Sequence, residues 1–158
     1  MPSSSSPAYR SSEQIMQLVR GFEAGTLAPQ QFDHHAHMTV ALWYLSQLPF
    51  AEATAAMRTN IQHFAACHQQ NQLYHETITE FWMRLLRHIL DGAEPSEPFA
   101  ELVYRAITSW GSMEVFFRHY SKQHAFSTEA RQHWVDPDLL PLPFLDPDAR
   151  SVKCERLP

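Results

Sequence analysis

The chain of 158 residues has a formal net charge of -5, with 44% apolar and 18% charged residues. That length suits a single domain with a real core. The acidic balance shows no basic stripe of the kind a nucleic-acid surface needs, and no apolar run reaches the ~20 residues that cross a bilayer.

Only four Gly and few runs of alternating β-branched residues point away from sheets. The expected fold is all-α: a single-domain bundle of about five to six helices, judged by apolar periodicity, with an extended Pro-rich C-terminal segment. The expected divisions are a disordered lead over 1–10, the bundle over 11–135, and a tail over 136–158 that packs partly on it. The opening Met1-Pro2-Ser3-Ser4-Ser5-Ser6-Pro7 has neither a basic nor an apolar block, so it reads as that lead and not as a secretory signal. Cys67 and Cys154 are too few for a disulfide scaffold and are expected as free thiols of a cytoplasmic protein.

A first helix is expected from Ser11 to Ala24. Ser11 with Gln14 makes a capping pattern, Ile15, Leu18, Val19 and Phe22 recur at helical spacing, and Gly25 stops it. The second runs from about Phe32 to Leu48, with His34, Met38, Ala41, Leu45 and Leu48 on one stripe and His37 and Tyr44 flanking it. His35, Thr39 and Ser46 fall to the polar flank, so His35 is expected to meet water. The third helix, about Phe50 to Gln69, buries Ala53, Met57, Ile61 and Phe64, with His68 at its C-terminal end.

The fourth helix is expected from about Leu73 to Leu90, with Ile78, Trp82, Leu85, Leu86 and Ile89 inward and His75 and Thr79 on that face. Glu76, Glu80, Arg84 and Arg87 share the opposite, solvated face. In a rival register Thr77 caps a helix beginning at Ile78, which leaves His75 in the preceding loop. A fifth helix follows Pro98, a sixth follows Gly111, and Ser127 caps a last turn through Gln132.

Ten His residues are present, and their placement raises the question of function. His34 and His37, three apart, lie about 60° apart and one turn along a helix, so two rings can converge on one ion. A third ligand must come from another helix, as bundle sites are built. The second and fourth helices are joined through a third, so they run parallel and start at the same end. His75 is therefore the preferred third ligand and His68 a fourth candidate. Glu76, Tyr44, Tyr74 and Thr79 are the candidate catalytic or supporting positions. Against this stand blander roles: His68 favoured by the helix dipole, Glu76 favoured at a helix N-terminus, and aromatic residues Trp43, Tyr44, Tyr74, Phe81 and Trp82 packing as plain core or lining a pocket. His119, His124 and His133 have no partner spacing, and neither Cys is flanked by a nucleophile pattern.

The block Phe32-x-His34-x-x-His37-Met38-x-x-Ala41-x-x-Tyr44-Leu45, followed by Tyr74-His75-Glu76-Thr77-Ile78-Thr79, resembles a family of small, uncharacterised helical bacterial proteins. That family carries F-x-H-x-x-H-L-x-x-A-x-x-Y-L and Y-H-E-T-x-T blocks, with Ile or Leu at the open position of the second. The resemblance covers the chain from about Phe22 onward, more loosely at Tyr120-Ser121 and Pro137-Asp138. It implies a shared site at His34, His37 and His75, less firmly at Tyr74, Glu76 and Thr79, and it supplies no substrate.

The functional expectation is a small metal-dependent enzyme acting on a small molecule. A Zn, Fe or Cu ion would be held by His34, His37 and His75, since imidazole suits those metals. Zinc would serve hydrolysis or hydration, and iron or copper oxidative chemistry. The competing expectation is a metal-free helical interaction module, which leaves room for a homodimer. Neither involves nucleic acid or a membrane.

Overall fold

The structure, a computed structural model, describes residues 11–70 and 74–142. The lead over 1–10, the tail beyond 142 with Cys154, and the expected helix start at Leu73 lie outside the described residues. Within them the fold is all-α. Five long helices are α1 (Ser12–Ala24), α2 (His34–Gln47), α3 (Phe50–Cys67), α4 (Glu76–Asp91) and α5 (Phe99–Trp110). Three short ones follow: α6 (Glu114–Phe117), α7 (Lys122–Ala125) and α8 (Thr128–Gln132). The sixth expected helix is thus cut to the single turn α6, α7 is a further turn the periodicity did not indicate, and α8 is the expected turn capped by Ser127. No described helix is long and apolar enough to cross a membrane.

Local chemistry sets most boundaries. Ser11 Oγ accepts from the Gln14 amide and caps α1. Gly25 closes α1 in the left-handed region (φ 72°), and a Cβ there would meet Cys67 Sγ at 2.8 Å. Asp33 caps α2 by accepting from Ala36 N–H at 2.9 Å. Ser121 and Ser127 cap α7 and α8 in the same way.

α2 is the hub, packing on α1, α3, α4 and α5. Its buried residues include the unbroken run Met38-Thr39-Val40-Ala41-Leu42. A helix apolar all round belongs in an interior, and α2 has no outer face over that run. This corrects the expected polar flank. Thr39 is fully buried, its hydroxyl donating to the His35 carbonyl at 2.8 Å. His35 is half-buried beside Gly111, where an added Cβ would lie 3.0 Å from its Nε2.

The start of α4 is also covered. α8 packs on α4, and the segment after it is stitched down. Thr77 Oγ1 donates to the His133 carbonyl at 2.7 Å and accepts from Val135 N–H at 3.2 Å. Tyr120 Oη donates to the Val135 carbonyl at 2.7 Å. His119 and His124 direct ring nitrogens to the Leu140 and Asp136 carbonyls at 3.0 and 2.8 Å. The face expected to be solvated is therefore partly roofed: Glu80 and Arg84 side chains are 17% and 15% exposed, and the Arg84 guanidinium lies 4.4 Å from the Trp134 ring.

Thr77→Val keeps the volume of this stitch but takes away the partner of the His133 carbonyl and of the Val135 amide, two part-buried hydrogen bonds. It should cost about 2 kcal/mol, lowering the melting temperature by about 6 °C, whereas Thr77→Ser should stay near the parent. Thermal denaturation of the three proteins checks this. Equal melting of parent and Thr77→Val would show that the stitch contributes nothing.

Candidate functional site

A cavity of about 170 Å3 lies between α2, α3 and α4. His34, Met38 and Ala41, from the stripe expected by helical phase, and the flanking His37 supply the α2 wall. Met57 and Ile61 come from α3. Tyr74 and His75, with Ile78, Thr79, Trp82, Met83 and Leu86, come from α4 and its lead-in. The starts of α2 and α4 therefore meet at one end of the bundle. His34, His37, His75, Tyr74 and Thr79 all line the cavity, whereas Tyr44, Glu76 and His68 do not.

Burial sets the charge state of the two α2 imidazoles. It lowers His34 from 6.5 to about 4, with neighbouring His35 adding to the shift and Asp33 opposing it. It lowers His37 to about 4 as well, with His34 adding and Asp33 opposing. Both rings are neutral near pH 7. The His37 ring packs on Phe32, centroids 4.0 Å apart, and the His34 ring meets the edge of Trp82 at 4.5 Å. His34 Nε2 and Trp82 Nε1 are buried within the packing without a hydrogen-bond partner.

His75 is arranged differently. It is the residue before α4, not a member of its first turn, so the start falls between the two expected registers. Its Nδ1 accepts from Ile78 N–H at 3.2 Å, the bond a Ser or Asp makes as a cap. Its Nε2 is 2.6 Å from the Ala125 carbonyl, which fixes the tautomer with the proton on Nε2, donating to that carbonyl. Burial lowers its pKa, which favours that neutral form. Both ring nitrogens are thereby engaged, and among the described residues no group of three or more His, Cys, Asp or Glu is placed to hold a metal ion.

Three other expected site residues serve neighbouring structure. Tyr44 Oη donates to Glu23 at 2.6 Å and accepts from Asn60 at 2.9 Å, tying α1, α2 and α3 together. His68 ends α3 with its ring 4.5 Å from Phe64, on the far side of the Phe32–Phe64 pair from His37. Its Nε2 is buried and unpaired. Glu76 does not face water as expected, its side chain being 12% exposed. It accepts a two-pronged interaction from Arg58 on α3 and a further hydrogen bond from Tyr74 Oη. Burial pushes its carboxyl upward, but Arg58 and Tyr74 outweigh that and hold it below the usual carboxylate range.

Tyr74 links two spaces. It lines the inner cavity and also a wider surface groove shared with Arg58, Glu76, Arg131, His133 and Trp134. Arg58, absent from the sequence-based candidates, has no local signal: its partner lies 18 residues on, across a turn between helices.

The lowered pKa values have a thermodynamic consequence. Between about pH 6.5 and about pH 4 the unfolded chain takes up protons that folded His34 and His37 refuse. Stability conferred by these neutral sites is complete above 6.5 and is lost as pH falls through that window. Together the two add about two protons to the uptake on unfolding. Denaturation measured across the window should show this slope, and His37→Phe should remove about half of it; an unchanged slope in that variant would overturn the assignment. Comparison with protein-family models, curated proteins and solved structures gives no match, so the reading of this site rests on its own geometry.

Proposed function

We propose that the protein is a small enzyme acting on a small molecule held in the cavity between α2, α3 and α4. The neutral imidazoles of His34 and His37 are the groups that meet it. One observation carries this reading: two uncharged imidazoles, one turn apart, line an enclosure otherwise walled mostly by Met, Ile, Leu and Ala. A mainly apolar pocket with a few convergent polar groups is the usual form of a small-molecule site. A neutral imidazole there accepts a hydrogen bond or takes a proton from what it binds.

A second reading places a transition-metal ion (zinc, iron or copper) on the same pair. The observation in its favour is the buried, unpartnered Nε2 of His34, on a ring whose neutral form suits a ligand. His75 can join such a site only by releasing the Ala125 carbonyl or the Ile78 amide. Zinc on this pair would support hydrolysis, and iron or copper oxidation.

Elemental analysis of untagged parent, His37→Ala and His75→Ala separates the two. The metal form requires about one ion per chain in the parent, lost in His37→Ala; loss in His75→Ala as well marks a site that His75 has joined by releasing its present partners. A parent without metal, and with melting unchanged by added Zn, Fe or Cu, leaves His34 and His37 as hydrogen-bonding and proton-handling groups alone. The shared claim is tested by a thermal-shift screen of neutral, anionic and cationic small molecules against the parent and Ile61→Trp, which fills the cavity. At least one compound should raise the melting temperature of the parent and not of Ile61→Trp. If none separates them, the cavity is not the working site.

A further inference from the structure

The surface groove outside Tyr74 has a charge opposite to that of the chain as a whole. It measures about 870 Å3 and lies between α3, the lead-in to α4 and the segment from α8 onward. A volume of that order suits a small-molecule site. Arg58 comes from α3, Arg131 and Gln132 from α8, and His133 and Trp134 from the chain just after it.

Two guanidiniums line this groove, and among the described residues Glu76 is the sole carboxylate that does. Glu76 is already satisfied. Both of its oxygens accept from Arg58, and one also accepts from Tyr74 Oη. The groove wall is therefore positive in a chain whose formal net charge is -5. Neighbouring groups register that field. Burial raises the Glu76 carboxyl, but Arg58, Tyr74 and the charge of His133 bring it below the usual range. Burial lowers the His75 imidazole, and the charge of Arg131 adds to that shift.

The donors are within reach of a ligand. The Arg58 side chain is 38% exposed, and Gln62, Gln132 and His133 are exposed. Arg58 turns Nε and Nη2 to Glu76, so Nη1 stands outside that pairing. Arg131 directs Nη1 to the Tyr74 carbonyl at 3.4 Å, a neutral acceptor that does not cancel its charge. A guanidinium offers planar N–H donors that match a carboxylate or a phosphate. Trp134 and Tyr74 add flat aromatic surface to the same wall. A long polyanion such as nucleic acid is repelled by the acidic chain, whereas one small anion meets the groove alone.

We infer that this groove binds a small organic anion, a carboxylate or phosphate head on a planar body. The head meets the Arg131 guanidinium, with Arg58 Nη1 as a second donor, and the body lies along Trp134 and Tyr74. Tyr74 is the one described residue that lines both the groove and the inner cavity, so this assignment stands whether or not the cavity is the working site.

The test titrates the untagged full chain near neutral pH and at low salt with benzoate, phenyl phosphate, benzyl alcohol and benzylammonium, reading dissociation constants by ligand-observed NMR. Benzoate or phenyl phosphate should bind about tenfold more tightly than benzyl alcohol, and benzylammonium should not bind. The tighter anion identifies the head group. Acetate and inorganic phosphate, competed against their aromatic counterparts, should bind more weakly than these. Arg131→Gln and Gln132→Glu should each weaken anion binding about tenfold. Ile61→Trp, which fills the inner cavity, should leave it unchanged.

Equal binding of both anions and benzyl alcohol overturns the anion class, and so does the absence of binding by either anion. Anion binding that survives both Arg131→Gln and Gln132→Glu places the anion elsewhere and overturns the groove. Loss of anion binding in Ile61→Trp alone assigns it to the cavity and overturns the groove as well. Acetate or phosphate matching its aromatic counterpart overturns the planar body. Gln132→Glu changes an exposed side chain, so the decision stands even where Arg131→Gln fails to fold.

Discussion

The burial of the central run of α2 on every side is the constraint from which the rest follows. A helix packed against four others has no solvated face over its central run, so each polar group on it needs an internal partner or a space of its own. Thr39 turns back to the His35 carbonyl, and Tyr44 finds Glu23 and Asn60. His34 and His37 meet the cavity, and their rings remain neutral because an imidazolium there would be a charge taken out of water. The same burial that makes α2 the hub therefore sets the protonation state of the candidate site.

His75 solves a second problem. The first turn of α4 is covered by the C-terminal third of the chain, and a covered helix start leaves amides that water cannot reach. One imidazole answers with both edges: Nδ1 takes the Ile78 amide and Nε2–H holds the Ala125 carbonyl. A Ser or Asp at this position would cap the helix without reaching α7. The chain thus fixes α4, α7 and one wall of the cavity with a single ring, and the geometry that suits this ring to capping is what removes its lone pair from the cavity.

Helical phase in the sequence was enough to recover the five long helices, the Ser11 and Ser127 caps, and the grouping of His34, Met38 and Ala41 on one stripe. It also brought the starts of α2 and α4 together, because that depends only on counting helices. What it missed is long-range. His35 and Thr39 have the phase of a polar flank, but α5 and Gly111 lie over that side. Glu76 has the phase of a solvated face, yet Arg58 and Tyr74 enclose it. The hydrogen bonds of His75 run to residues three and fifty positions away. The near one is the spacing of a capping bond; the far one depends on the fold of a segment whose helices are single turns with little periodicity to read. Spacing can place a residue on a face, but it cannot show which nitrogen of an imidazole is already bonded.

Tyr74 draws a boundary of polarity through this end of the molecule. Outside its ring lie Arg58, Glu76 and Arg131; inside lie only neutral side chains. Its hydroxyl points to the charged side, held by Glu76, which is itself held by Arg58 from the neighbouring helix. The ionised groups that stabilise the wall are thus kept out of the space it encloses. That division depends on the inner polar atoms being few and the outer ones being paired.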